Sequence, residues 1–339
     1  MKYFIFFILC LLIACDDILV NEELQLSKTY NFEICWKEFD RYYTFFDYKN
    51  IDWDSVYNVY QPLVNDNLTD NEFLDLLSSM CLTLTDRHVN IFTPFRDFNS
   101  YKFLQTNQPY NFISDNVIKE KYLENIIEFN NVIFCGDTKD NNFGYIRVRN
   151  FWYENTTKFE AVHTILADFS GKDGIIIDVR NNGGGSDGNA VAIASHFTPT
   201  DKFFRYVRFR NGPGHDNFTE WMPGVIYASD SLIYTKPVVI LTNTNVASSA
   251  ETFVHMMRSI ETATIIGGST SGAEGFPVIR ELPNGWIVWI SNGQSADLNY
   301  QLYEDIGIPP DIEVTITKTD EANEIDTILE EAIEYLKEK

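Results

Sequence analysis

Cysteine is scarce and poorly spaced in this chain of 339 residues. Cys10 and Cys15 lie near the N-terminus, and Cys35, Cys81 and Cys135 are scattered. Three such thiols show no metal-ligand spacing and cannot all pair, so they read as buried, reduced residues, and neither a metal nor a cofactor is implied. Positive charge is thin as well. Lys and Arg number 26 against 49 Asp and Glu, a formal charge of -23. A surface that acidic repels phosphate backbones, which makes nucleic acid a poor partner and solubility the plain reading of the charge. No apolar run reaches the ~20 residues that span a bilayer; the longest at the N-terminus, Tyr3 to Ala14, is about a dozen. Internal repeats and low-complexity linkers are absent too.

Lys2 before that apolar run gives residues 1–14 the pattern of an export signal. Its end, Leu12-Ile13-Ala14-Cys15, resembles the lipobox of bacterial lipoproteins. The resemblance implies cleavage before Cys15, lipidation of that residue, membrane attachment through the lipid and a place in the cell envelope outside the cytoplasm. Residues 15–29 are then a tether. The alternative is an ordinary secretory signal that happens to end near a cysteine.

Residues 30–92 carry helical spacing. Phe32, Trp36, Phe39 and Tyr43 recur at i, i+4, i+7 and i+11, and Trp53, Val56, Tyr57 and Tyr60 repeat the stripe. Thr69-Asp70-Asn71-Glu72 predicts a capping box that opens a third helix, with Phe73, Leu76, Leu77, Met80 and Leu84 on one face. Residues 93–140 form a connecting segment of mixed pattern, too short and irregular to identify as an inserted peptide-binding (PDZ) domain. From 141 to 318 the rhythm becomes strand and helix in alternation. Strands are predicted at 143–148, 174–179, 237–242, 264–266 and 286–290, and helices at 159–169, 190–197 and 250–260. That alternation indicates an α/β core with parallel pairing. Residues 319–339 hold a closing amphipathic helix.

Chemistry concentrates at Lys236 to Ile260. A buried strand ends at Thr242, a loop follows, and Ser248-Ser249-Ala250-Glu251 opens a helix. Free amides and the positive end of the helix dipole converge on a serine so placed, and would stabilise negative charge on a substrate carbonyl. Read locally, Ser248 with Glu251 is also a plain capping box.

Five segments in order alter the balance. Leu84-Thr85-Asp86-Arg87-His88, Asp178 to Gly185, Thr244 to Glu251, Gly267 to Gly272 and Glu304 to Asp311 together resemble the motifs of the tail-specific (C-terminal-processing) and tricorn-type serine peptidases. The resemblance runs from about residue 30 to 338. It implies a mixed α/β fold, with a helical bundle packed on a crotonase-like or ClpP-like peptidase core, and a polypeptide substrate. Carried over residue by residue, Ser248 matches the nucleophile. The C-terminal-processing branch uses a lysine base, but the matching position is Ala273 and no lysine lies between Lys236 and Lys318. The tricorn branch uses a histidine and a glutamate, which map onto His88 and Glu304. A serine precedes that histidine in the branch; this chain has Arg87, which leaves the relay behind His88 open. The glycine cluster implies an oxyanion hole of Gly184 or Gly185 with Ser249.

Competing readings are weaker. His255 falls on the face of Ser248, but seven helical residues rise ~10 Å, too far for direct proton transfer. Gly183 to Gly188 matches G-x-G-x-x-G formally, yet sits mid-chain with a poor acidic follow-up. Ser186 fits a G-x-S-x-G elbow and an ester hydrolase, although the preceding strand ends several residues too early. A catalytically silent peptide- or lipid-binding protein on the same scaffold is the main functional alternative. Peptide specificity and oligomeric state are not encoded legibly.

Overall fold

The computed structural model describes residues 26–104, 110–139 and 142–339. The expected export signal, residues 1–14, and Cys15 lie outside the described residues. Among those described, no helix is long and apolar enough to cross a membrane.

Three helices open the described chain: α1 (Lys28–Tyr42), α2 (Trp53–Tyr60) and α3 (Asp70–Leu82). Each begins on a side chain that accepts an otherwise orphaned amide: Ser27 takes Tyr30 N, Asp52 takes Ser55 N, and Thr69 and Glu72 form the reciprocal box. The aromatic stripe is core. Phe32, Phe39, Trp53 and Phe73 are buried together, and the Trp36 and Trp53 rings stack 6.3 Å apart.

Four further helices of eight residues or more follow among the described residues: α4 (Ala161–Asp168), α5 (Asp187–Ala194), α6 (Ser249–Arg258) and α7 (Thr327–Lys337). The strands are β1 (Asn90–Phe92), β2 (Phe98–Asn99), β3 (Leu123–Glu128), β4 (Ile133–Thr138), β5 (Phe143–Val148), β6 (Gly174–Asp178), β7 (Lys202–Phe209), β8 (Met222–Ile226), β9 (Val238–Thr242), β10 (Ala263–Gly267), β11 (Phe276–Glu281), β12 (Ile287–Ala296) and β13 (Ile312–Glu313). They form two sheets.

The central sheet runs β13-β10-β9-β6-β5-β4-β3, parallel from β13 to β5 and antiparallel beyond. Successive side chains of a strand point to opposite faces, so the unbroken Ile175-Ile176-Ile177 run requires cover on both. Ile175 and Ile177 pack with α4, α5 and α6, whereas Ile176 packs with α7. The second sheet is antiparallel, ordered β2-β1-β12-β7-β8 with β11 also on β12. Val288 and Ile290 of β12 join Val89 and Ile91 in the core of the helical bundle. The bundle therefore packs on this second sheet.

The helices and strands expected between 141 and 318 form where their spacing indicates. Segment 93–140, left unassigned on sequence, supplies β3 and β4 to the central sheet. Its pattern is obscured by a register shift between Glu124 and Ile127, with Asn125 at φ 51°, which breaks the period-2 alternation. β7, β8 and β11 also had no clear signature.

The end of β6 is fixed by a buried charge cluster. Arg180, fully buried, donates to Asp178 Oδ2 at 2.6 Å and to both Asp326 oxygens at 2.8 Å. Asp326 in turn caps α7 by accepting Leu329 N. Asp326→Ala strands a buried guanidinium beside a single acid and removes the cap, so a loss of ~3–5 kcal/mol is expected in urea unfolding.

Candidate active site

Parallel pairing of β6 with β9 brings their carboxyl ends side by side, the usual place for a binding crevice in an α/β sheet. The loops that leave them are zipped together. Ala247 N donates to Asn182 O at 3.1 Å, and Asn181 N to the Asn243 side chain at 3.0 Å. Gly184, at φ +92°, packs so closely that a Cβ would sit 2.6 Å from Ala247 O and 2.8 Å from Ser248 Cβ. Only glycine fits there.

Ser248 has φ 57° and ψ -126°, a conformation that L-residues rarely adopt and that costs ~1–3 kcal/mol. Its amide donates to Ala273 O at 3.1 Å and to Glu251 Oε2 at 3.0 Å, and its carbonyl accepts the Glu251 and Thr252 amides. The hydroxyl makes no hydrogen bond of good geometry at the start of α6, although Ser248 and Glu251 stand in the reciprocal capping-box arrangement. The expected capping box of Ser248 and Glu251 is present, with the Glu251 amide donating to the Ser248 carbonyl at 2.7 Å. Among the described residues, the Ser249 and Gly185 amides have no acceptor, whereas Gly184 N donates to Asn182 Oδ1 at 3.0 Å. Ser249 Oγ binds Gly185 O at 2.9 Å and holds the two segments in register.

The carboxylate of Glu251 is fully buried and collects four donors. Besides Ser248 N it accepts Thr270 Oγ1 at 2.6 Å, Gly272 N at 2.7 Å and Ala273 N at 2.9 Å. Burial, with Glu274 nearby, pushes its pKa up to about 7 against the pull of those donors. The turn after β10 is thereby stapled beneath the serine. Ala273, at the position where a lysine would stand, is buried in that turn.

His88 comes from the loop between α3 and β1 and lines the same cavity, of about 770 Å³, as Ser248, Ser249 and Gly185. Its amide is held by Asp86 Oδ1 at 2.8 Å, and its Nδ1 is buried without a hydrogen-bond partner among the described residues. Burial lowers the imidazole pKa, partly offset by Asp86. Arg87 turns away and donates to the carbonyl and hydroxyl of Ser271.

Glu304 is buried behind the site. Its Oε1 pairs with Lys49 at 3.2 Å and its Oε2 accepts Glu274 N at 2.9 Å, and no hydrogen bond joins it to His88 among the described residues. Burial raises its pKa well above the carboxylate range, with Asp86 adding to the shift and Lys49 opposing it. His255 pairs with Glu274 Oε1 at 2.6 Å. Ser186 precedes α5 outside the cavity wall, its amide on Phe151 O. Sequence reasoning missed Lys49 and Glu274. Neither lies in a helical stripe, and no local pattern announces a charged side chain buried by contacts 19 and 30 residues away, as for Glu274, or 255 away, as for Lys49. Among the described residues, no group of three or more His, Cys, Asp or Glu could hold a metal ion.

Residues 142–314 match peptidase family S41, and residues 25–81 match the tricorn protease C1 domain. The chain belongs to peptidase family S41. A crystal structure of a candidate peptidase from Parabacteroides merdae superposes with a TM-score of 0.83 at 32% identity, covering 91% of this chain and 96% of that one. Mature CPAF shares the fold at a TM-score of 0.68 and 13% identity, covering 93% of this chain and 96% of that one. Among curated relatives, the carboxy-terminal processing protease CtpA of Bacillus subtilis is 26% identical over 53% of this chain and 36% of its own length. A tricorn-like protease C-terminal subunit of Sulfurisphaera tokodaii is 28% identical over 58% of this chain and 21% of its own. This S41 chain spans about a third or less of the length of those curated relatives.

The raised pKa of Glu251 has a defined consequence. The folded state holds this proton more tightly than the unfolded chain, so the stabilisation is complete below ~4.3, the free glutamate value. It is lost as pH climbs through about 7. Urea midpoints of the wild type should carry that decline, and Glu251→Gln should flatten it.

Proposed function

We propose that this S41 protein is a serine endopeptidase acting on polypeptides, with Ser248 as nucleophile and His88 as general base. One observation carries the reading: a strained serine at a helix start shares a cavity with a partly buried imidazole, and its hydroxyl and two nearby amides have no good hydrogen-bond partner among the described residues. A serine hydroxyl is a weak nucleophile until a base removes its proton. In the proposed cycle His88 accepts that proton as Ser248 Oγ attacks the scissile carbonyl. The Gly185 and Ser249 amides receive the developing oxyanion, a contribution of roughly 2.7–4 kcal/mol per donor. His88 then returns the proton to the leaving amine, and water releases the acyl group by the reverse route. Glu304 supports the site at one remove, through the Glu274 amide.

The proposal extends to location. The lipobox-like end of the export signal favours attachment through Cys15 on the extracytoplasmic side of the envelope, with substrates found there. Cys15→Ser should release the protein from the membrane fraction.

A fluorophosphonate should label the purified protein at Ser248, and Ser248→Ala should abolish both labelling and peptide hydrolysis. Absence of labelling in the wild type would favour the silent binding protein instead. His88→Gln should slow turnover ~10²–10⁴-fold. Because burial lowers the His88 pKa, the base is neutral below its ordinary range, so the rate should rise with pH to a midpoint under ~6.5.

A further inference from the structure

Base and nucleophile reach the cavity from different parts of the fold, and something must set their spacing. His88 rides on a loop at the end of the helical bundle, and Ser248 rides on the central sheet. Thr85 starts the histidine loop in a left-handed conformation, φ 50°, and its amide bonds Leu82 O at 3.1 Å. On the other side, the Ser248 amide is set against Ala273 O, and the next amide, Glu274 N, is set against Glu304 Oε2.

One side chain touches both halves. Lys49 lies in the turn between α1 and α2 and its side chain is only 4% exposed. Its ammonium donates to Thr85 O at 3.3 Å, to Glu304 Oε1 at 3.2 Å and to Asp305 Oδ1 at 2.9 Å. The neighbouring Tyr48 hydroxyl donates to Glu304 O at 3.1 Å, so the same turn grips both the backbone and the carboxylate of Glu304. Phe45 and Phe46, both buried, anchor that turn in the bundle core. An ammonium has three donors and no acceptor, and here all three protons have oxygen partners. Burying an ammonium and a carboxylate together is costly unless both are paired and hydrogen-bonded, which makes this contact a poor accident of packing.

We infer that Lys49 is a positioning residue for catalysis, pinning the His88 loop to the Glu304–Glu274 segment that sets Ser248. The inference rests on the peptidase reading given above. A base that drifts by ~1 Å can cost 10²-fold in rate, so the pin acts on turnover rather than on substrate affinity. It also acts through charge. The groups that influence His88 are Asp86 on its own loop, Glu274 on the turn after β10, and Lys49, and of these Lys49 alone opposes protonation.

The test is labelling of the full chain by a fluorophosphonate across a pH series, comparing wild type with Lys49→Met, Lys49→Arg and Lys49→Met/Glu304→Gln. Lys49→Met should lower the maximal labelling rate ~10–100-fold with little change in reagent affinity. Its pH midpoint should move upward, because His88 loses a neighbouring positive charge. Lys49→Arg keeps the charge and should return the midpoint toward wild type. The double variant leaves no unpaired buried charge from the pair, so it carries the test if Lys49→Met does not fold; it should remain slow with the raised midpoint. Wild-type rate and midpoint in a folded Lys49→Met or double variant would overturn the role of Lys49 while leaving Ser248 chemistry intact. No labelling of the wild type itself would overturn the peptidase reading and the role of Lys49 with it.

Discussion

The site hangs on the carboxylate of Glu251. Ser248 occupies a backbone conformation that would relax if nothing opposed it, and a serine at the start of a helix normally relaxes into a cap. Glu251 opposes that relaxation by taking the Ser248 amide, as the acidic half of a capping box. With its other contacts it also holds Thr270, Gly272 and Ala273 in the turn beneath. A neutral side chain of the same size could accept fewer of these donors, and a shorter acid could not span them. The strain is therefore offset by a buried polar network with every donor accounted for, the condition under which such networks rigidify a structure rather than weaken it. The Ser248 hydroxyl and the Ser249 amide, neither with a good hydrogen-bond partner among the described residues, are two results of that single arrangement.

A second constraint is the assembly of the site from two layers. The central sheet supplies the serine, the glycine loop and the unsatisfied amides, all from the ends of adjacent parallel strands. The imidazole arrives from the bundle, and the bundle is held through the second sheet, where β1, directly after His88, pairs with β12. The bundle is thus more than a cover for apolar surface. Its aromatic core fixes the turn that carries Lys49 and the loop that carries His88.

Legibility followed locality. Thr69 with Glu72, Ser248 with Glu251 and the Gly183-Gly184-Gly185 run were readable because each signal lies within a few residues and has one physical cause. The buried strands at 174–178 and 238–242 were readable because a sheet covered on both faces needs an unbroken apolar run. β3 and β4 were not, since a bulge scrambles their alternation, and β11 was not, since it lies beside a cavity with alternate side chains exposed. His255 is instructive. Its partner Glu274 belongs to the turn after β10, and only the fold brings them together. Lys49 was silent for the same reason: a lysine in a polar-looking turn gives no sign that its ammonium is enclosed.

Those charges bear on which base can operate here. The turn after β10 presents Ala273 where the C-terminal-processing branch has its lysine, so no ammonium approaches Ser248 from that side. On the proposed reading an imidazole serves, and His88 sits in an acidic neighbourhood: Asp86 and Glu274 both favour its protonated form. A protonated imidazole cannot take the serine proton. Burial is the larger opposing influence and Lys49 adds to it, so the histidine is kept neutral by desolvation and by one buried cation together. On that reading, a chain without a lysine base beside Ser248 retains a lysine behind His88, where the positive charge favours the neutral base without itself carrying a proton in the reaction.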